Sequence, residues 1–251
     1  METCDVVIEG ISAAYDGRAV LHDISARFEP GQVVALLGPN GSGKTTLLRV
    51  LARVLAPASG RVLIGGEELR HLSTKEAAQR VAVVPQFETP AFDFTVREIV
   101  EMARYPWDDD GMHHVEQALE RTEMAHAGER RFSELSGGER RRALLARALA
   151  QDAPVMLMDE PTAHMDIAHQ LQTLGMAREL AEAGRLVVAA MHDFSLTAAF
   201  ADRVVLLHEG RVRLDAPADD ALSSEAIDEV FETQFERIRN GRLILVPRAL
   251  R

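Results

Sequence analysis

Gly38-Pro39-Asn40-Gly41-Ser42-Gly43-Lys44-Thr45-Thr46 follows a run of apolar residues and precedes a run with helical spacing. Gln32 to Leu37 reads as a buried parallel strand feeding the turn at Gly38. From Gly43 to Val54 the chain reads as a helix, with Leu47, Leu48, Leu51 and Val54 on one face and Pro57 and Gly60 as its stop. A glycine-rich turn between strand and helix, closed by Lys and Thr, is the P-loop pattern in the context it requires. The glycines let the backbone curl so that successive N–H groups face phosphate oxygens. The helix beginning near Gly43 adds its positive end to the same place. Lys44 supplies a point charge for β- and γ-phosphates, and Thr45 a hydroxyl for Mg²⁺. The segment therefore predicts nucleotide binding.

Working outward, Asp5 to Gly10 and part of Arg18 to Phe28 read as strands before the loop, and Arg61 to Ile64 and Val81 to Val84 as strands after it. Between Phe87 and Asp152 the pattern turns helical, with Val96, Ile99 and Met102, then Val115, Leu119 and Thr122, and a linker from Pro106 to Gly111. The α/β pattern resumes at Val155 to Met158. A helix follows over Asp166 to Ala183, with Ile167, Leu171, Leu174 and Leu180 on one face and Gly184 as its stop. Leu186 to Ala190 and Val204 to Leu207 are further buried-strand candidates. From Ser223 the tail reads as a short helix and an edge strand at Leu243 to Val246. The alternation predicts an α/β fold with a mostly parallel sheet and helices on both sides.

Val155-Met156-Leu157-Met158 runs into Asp159-Glu160. Two carboxylates at the carboxyl end of a buried strand lie where open α/β sheets bind ligands. Asp159 is placed to hold a Mg²⁺ shell. Glu160, turned the other way, is placed to polarise the attacking water as a general base. Leu135-Ser136-Gly137-Gly138-Glu139 opens a helix running to Ala150. Ser136 caps it, and Gly137 and Gly138 leave backbone N–H groups open to an anion. This is a second phosphate-binding terminus in a chain whose P-loop already cradles one phosphate chain. It fits if the segment closes on the γ-phosphate held by another copy; the alternative is an ordinary N-cap with the solvated basic face of Arg140, Arg141 and Arg142. At consecutive helical positions these three fan out instead of lining one face.

Composition narrows the partners. The chain has 251 residues, 47% hydrophobic, with 28 basic and 39 acidic side chains and a net charge of -11. That balance argues against a protein whose main business is gripping nucleic-acid phosphates. No apolar run reaches the roughly 18 residues of a membrane helix, no basic leader opens the chain, and the single Cys4 forms no intrachain disulfide. The expectation is a soluble cytoplasmic chain whose membrane business goes through a partner.

Taken together, the segments at Gly38–Thr46, Leu135–Glu139 and Val155–Glu160 resemble the ABC ATPase family over nearly the whole chain. Glu139 stands where glutamine is common. The resemblance implies a P-loop NTPase core with an N-terminal antiparallel β region, residues 1–86 and 153–251 forming the α/β core and 87–152 an inserted helical sub-domain carrying the signature. It implies that Tyr15 stacks on adenine, although a lone tyrosine there also serves as simple packing. Gln86 would ligate Mg²⁺ or water and sense the permease, and His192 would contact the γ-phosphate. Ala163-His164-Met165-Asp166 corresponds to the loop that meets the opposite subunit; it departs from the commoner serine-alanine-leucine-aspartate but retains Asp166. ATP and Mg²⁺ are the implied ligands, and a head-to-tail homodimer the implied assembly.

Phe94-Thr95-Val96-Arg97-Glu98-Ile99-Val100 with Arg104-Tyr105-Pro106-Trp107, and the run Pro161 to Gln170, look like the ATPases of iron-siderophore, haem and cobalamin importers. In that group the segment after Gln86 receives a coupling helix of the permease. Phe87, Phe92 and Phe94 give it more apolar surface than a solvated loop needs; alternatively they anchor the helical sub-domain. The implied setting is the cytoplasmic face of the cell membrane, peripheral, with transmembrane permease subunits and indirectly an extracytoplasmic substrate-binding protein. An exporter, a metal-ion importer and a soluble nucleic-acid-associated ABC ATPase are the other readings. One P-loop, one signature and no long coiled-coil insertion weigh against the last.

Overall fold

The computed structural model describes residues 4–86, 88, 92–163, 165–240 and 242–248. Its centre is β3 (Val33–Leu37), five residues with no exposed surface to speak of. Side chains alternate across a strand, so Val33, Ala35 and Leu37 enter one core while Val34 and Leu36 enter another. β7 (Val155–Asp159), β8 (Leu186–Ala190) and β9 (Arg203–His208) divide their apolar side chains between the same two cores. Burial on both faces is why these strands read as continuous apolar runs instead of alternating ones.

The six-stranded sheet has the order β10-β9-β3-β8-β7-β6, where β6 is Val81–Val84 and β10 is Arg211–Pro217. Its β9-β3-β8-β7-β6 portion is parallel, and β10 closes the edge antiparallel to β9. A second, antiparallel sheet has the order β2-β1-β4-β5, from β1 (Val6–Tyr15), β2 (Arg18–Phe28), β4 (Ser59–Ile64) and β5 (Glu67–Glu68). It packs through Ile8, Ile11, Leu21, Ile24 and Phe28 onto the core that also receives α1 (Lys44–Leu51). This is a P-loop NTPase α/β fold with an N-terminal antiparallel β region.

Helices α3 (Val96–Glu101), α4 (Met112–Arg121) and α5 (Gly137–Ala150) lie between β6 and β7 and bury Val96, Ile99, Val115, Leu119, Leu144 and Leu145 together. Downstream come α6 (Ile167–Glu182), α7 (Phe194–Phe200), α8 (Ala218–Ser223) and α9 (Glu225–Val230), and the hairpin of β11 (Phe235–Asn240) with β12 (Arg242–Pro247). Phe194 stacks edge-on against Phe231 and Phe235, fixing α7 to this tail.

The expected elements are present, with local differences. α1 stops at Leu51 because Arg53 takes a left-handed φ of 59°, so Val54 leaves the helix and is 75% exposed. On α6, Leu174 and Leu180 are buried as expected. Ile167 and Leu171 do not share the buried face: at about 100° per residue they fall to one side of the stripe formed by Thr173, Leu174, Ala177, Leu180 and Ala181, and stand 74% and 46% exposed. α2 (Thr74–Arg80), α7 and β10 were not anticipated. The edge strand at Leu243 to Val246 is β12, paired to β11 in a hairpin of its own.

Candidate active site

The carboxyl ends of β3, β7, β8 and β6 lie side by side, and each delivers part of the site. β3 ends in the Gly38–Thr46 loop. Gly38 has a φ of 145°, and a Cβ there would lie 2.2 Å from the Leu207 carbonyl oxygen, so only glycine fits. Gly43 caps α1 at a φ of 106°, with Leu21 2.6 Å from where a Cβ would be. Gly41 faces open space. Asn40, Gly41, Ser42, Lys44, Thr45 and Thr46 line a cavity of about 230 Å³, closed on one side by Val20 and on another by Glu160. The Lys44 ammonium donates to the carbonyls of Gly38 at 2.7 Å and Pro39 at 3.0 Å. Burial pulls its pKa down, opposed by the charges of Glu160 and Asp159. The Ser42 hydroxyl is buried with no hydrogen-bond partner, an orphan polar group inside the Gly38–Thr46 loop.

β7 ends in the two carboxylates, and they do face different ways. Asp159 accepts from the Thr45 hydroxyl at 3.1 Å. Burial, the Thr45 hydrogen bond and the Glu160 charge act on it in that order, and the net effect holds its pKa above the usual carboxylate value. Glu160 has a φ of 49°, left-handed for a residue with a Cβ, which swings its side chain away from that of Asp159. Its carboxylate meets Gln86 Nε2 at 2.6 Å, from just beyond β6, and His192 Nε2 at 2.5 Å, from just beyond β8. Gln86, Glu160 and His192, apart in sequence, form one hydrogen-bonded group at the edge of the P-loop cavity. Sequence reading missed Arg141, a buried guanidinium of α5 that donates to the backbone carbonyls of Glu160 and Gln86. Nothing in the three consecutive arginines marks the middle one.

Other anticipated residues lie elsewhere. Ser136 caps α5 in a reciprocal box: its Oγ accepts from Glu139 N at 3.3 Å, and Glu139 accepts from Ser136 N at 2.8 Å. These hydrogen bonds, with the Arg130 ion pair, pull the Glu139 pKa down to about 2. Gly137 and Gly138 have nothing near where a Cβ would be. Among the described residues, those lining the P-loop cavity do not include Ser136 to Glu139, Asp166 or Tyr15. Asp166 caps α6 and pairs with His169 at 2.8 Å. The Tyr15 hydroxyl accepts from Arg49 at 3.2 Å. Phe87 and His164 lie outside the described residues.

Residues 21–163, more than half of the chain, match the model of the family described as ABC transporter. The chain belongs to the ABC transporter family. It is similar to the hemin import ATP-binding protein HmuV of Streptomyces coelicolor, 43% identical over 95% of this chain and 88% of that protein. It is 41% identical to the cobalamin import ATP-binding protein BtuD of Halobacterium salinarum over 90% of this chain, which spans 58% of BtuD's length. Among solved structures, a bacterial Atm1-family ABC exporter with ATP bound superposes with a TM-score of 0.81 at 26% identity, over 92% of this chain and 42% of that one. An ATP-binding cassette dimer in a post-hydrolysis state with ADP and Pi superposes with a TM-score of 0.78 at 25% identity, over 85% and 98%. This ABC protein is an ATP-binding ATPase. Among its described residues no helix is long and apolar enough to cross a membrane.

Proposed function

We propose that this chain is the ATP-hydrolysing subunit of an ABC importer that works as a head-to-tail pair on permease subunits at the cytoplasmic face of the membrane. The cargo is an iron-siderophore, haem or cobalamin-type compound, delivered by an extracytoplasmic binding protein. The observation that carries the hydrolytic part is the Gln86–Glu160–His192 group beside Lys44. The import names of relatives at about 40% identity support the direction of transport.

In this reading the backbone of Gly38–Thr46 and the Lys44 ammonium hold the phosphates, and Tyr15 stacks on adenine once released from Arg49. Glu160 takes the proton of the attacking water. His192 and Gln86 each hold one side of its carboxylate, so its direction is set before the water arrives; His192 also reaches the γ-phosphate. Thr45, Asp159 and Gln86 offer hydroxyl, carboxylate and amide oxygens on one side of the loop, a hard donor set that suits Mg²⁺. When bound, that ion neutralises phosphate charge. The open N-terminus of α5, Ser136 to Glu139, meets the γ-phosphate held by the other copy, and Asp166 contacts that copy. ATP then favours the closed pair because its γ-phosphate binds both surfaces, and hydrolysis removes the bridge.

The test is the ATPase rate of the chain alone and co-purified with the permease encoded beside it. Stimulation by the permease, increased further by a cargo-loaded binding protein, is expected. A rate indifferent to the permease but raised by DNA, RNA or ribosomes would contradict the transport reading.

A further inference from the structure

The three arginines that open α5 go three ways. Arg140 donates to the Ser133 carbonyl at 2.7 Å and lies over the Phe132 ring. Arg142 contributes a buried Nε with no hydrogen-bond partner. Arg141 turns inward and is only 6% exposed, with Nη1 on the carbonyl of Glu160 and Nη2 on the carbonyl of Gln86, 3.2 Å away. Further along the same helix, Arg147 holds the Glu88 carboxylate with both terminal nitrogens at 2.5 Å. α5 therefore grips Gln86 and Glu88, and through Arg141 also Glu160.

Burying a guanidinium is costly unless its donors are satisfied. α5 does not need Arg141 for anchorage, since Ala143, Leu144, Leu145, Ala146 and Ala148 are themselves buried around the helix. What Arg141 does touch is informative. The Glu160 carbonyl belongs to a residue held at a left-handed φ, whose carboxylate is the one bonded by Gln86 and His192. The Gln86 carbonyl belongs to the residue whose amide holds that carboxylate.

We propose that Arg141 is a positioning residue for hydrolysis, and that Arg141 and Arg147 form a clamp by which α5 holds Gln86, Glu88 and Glu160 of its own chain in working register. The helix whose N-terminus serves the partner's ATP thereby also sets the geometry of its own chain's site. This rests on the assignment of Glu160 as the base.

The test compares steady-state ATPase kinetics of wild type, Arg141→Met, Arg141→Lys and Glu160→Gln. Arg141→Met should lower kcat by about tenfold or more and move KM for ATP by less than about twofold, because phosphate binding is untouched. Arg141→Lys should recover part of kcat, since an ammonium still donates to carbonyls. Because Arg141→Met removes a buried group, a charge exchange serves as the second measurement. Glu88→Arg and Arg147→Glu should each lower kcat, and the double variant should recover it. Wild-type kcat in Arg141→Met, or no recovery in the exchange, would overturn the clamp. If Glu160→Gln retained normal turnover, the assignment of the base would fail instead; an inactive Glu160→Gln beside an unaffected Arg141→Met isolates the failure to the clamp.

Discussion

Lys44 is the residue whose loss is read most simply. Its ammonium already rests on two carbonyls of the phosphate loop, at the floor of the cavity that Glu160 closes. Among the described residues lining that cavity Lys44 is the only cation, and Lys44→Ala removes it while leaving the glycine backbone intact. ATP affinity measured by titration calorimetry should fall by about tenfold or more, the scale of a lost charge-assisted contact; unchanged affinity would remove Lys44 from its role. Glu139 gives a prediction in pH. Its folded pKa of about 2 lies below the ordinary 4.5, because Ser136 and Arg130 hydrogen-bond the carboxylate. A lowered folded pKa stabilises the fold fully above the unfolded value, and that contribution fades as pH falls from 4.5 toward 2. Denaturant unfolding of wild type and Glu139→Gln should therefore differ most above pH 4.5 and converge in acid. A gap independent of pH would mean that the carboxylate charge is not what matters. At this scale the loop and the carboxylate pair were legible because their chemistry lies in adjacent residues. Arg141 was not: its role depends on Glu160 and Gln86, which the fold brings from distant strands.

At the scale of elements, the N-terminus of α5 decides whether the site is shared. Gly137 and Gly138 stand open, and Ser136 is used within the chain only as a cap. Ser136→Arg loses the cap, a cost of about 0.5–2 kcal/mol, and puts bulk and charge at the open end. The variant should still bind ATP at the P-loop of its own chain but lose steady-state turnover. Normal turnover in a folded Ser136→Arg protein would contradict the composite site. The elements that sequence reading recovered best are β3, β6, β7 and β8, buried on both faces and hence continuous in hydrophobicity. α2 was harder although Ser73 and Glu76 form a capping box, because Ala77 is its one buried residue and no apolar stripe repeats along it. β10 escaped for a different reason: Arg211, Arg213 and Asp215 alternate with Val212, Leu214 and Ala216 as an edge strand should, but it buries little and so lacks the continuous apolar run that marks the central strands. α6 shows the converse: the helix is present, but Ile167 and Leu171 lie off the stripe on which Leu174 and Leu180 meet the core.

For the whole molecule, one topological fact organises the rest. β3, β7, β8 and β6 end together, so a loop near residue 40 and side chains at 86, 159, 160 and 192 converge although most of the chain separates them. A net charge of -11 is tolerable in such a molecule because the charge that matters is local, at Lys44 and the loop amides. What a single copy does not assemble is equally plain: Ser136 to Glu139 and Asp166 stay outside the P-loop cavity. A shared site therefore requires a second copy, brought by ATP. The most direct measurement is the solution mass of Glu160→Gln by light scattering with Mg²⁺ and either ATP or ADP. Doubling of the 27.6 kDa chain mass with ATP and not with ADP is the predicted result. A chain that binds ATP yet keeps its single-copy mass, with or without the permease, would contradict the shared site.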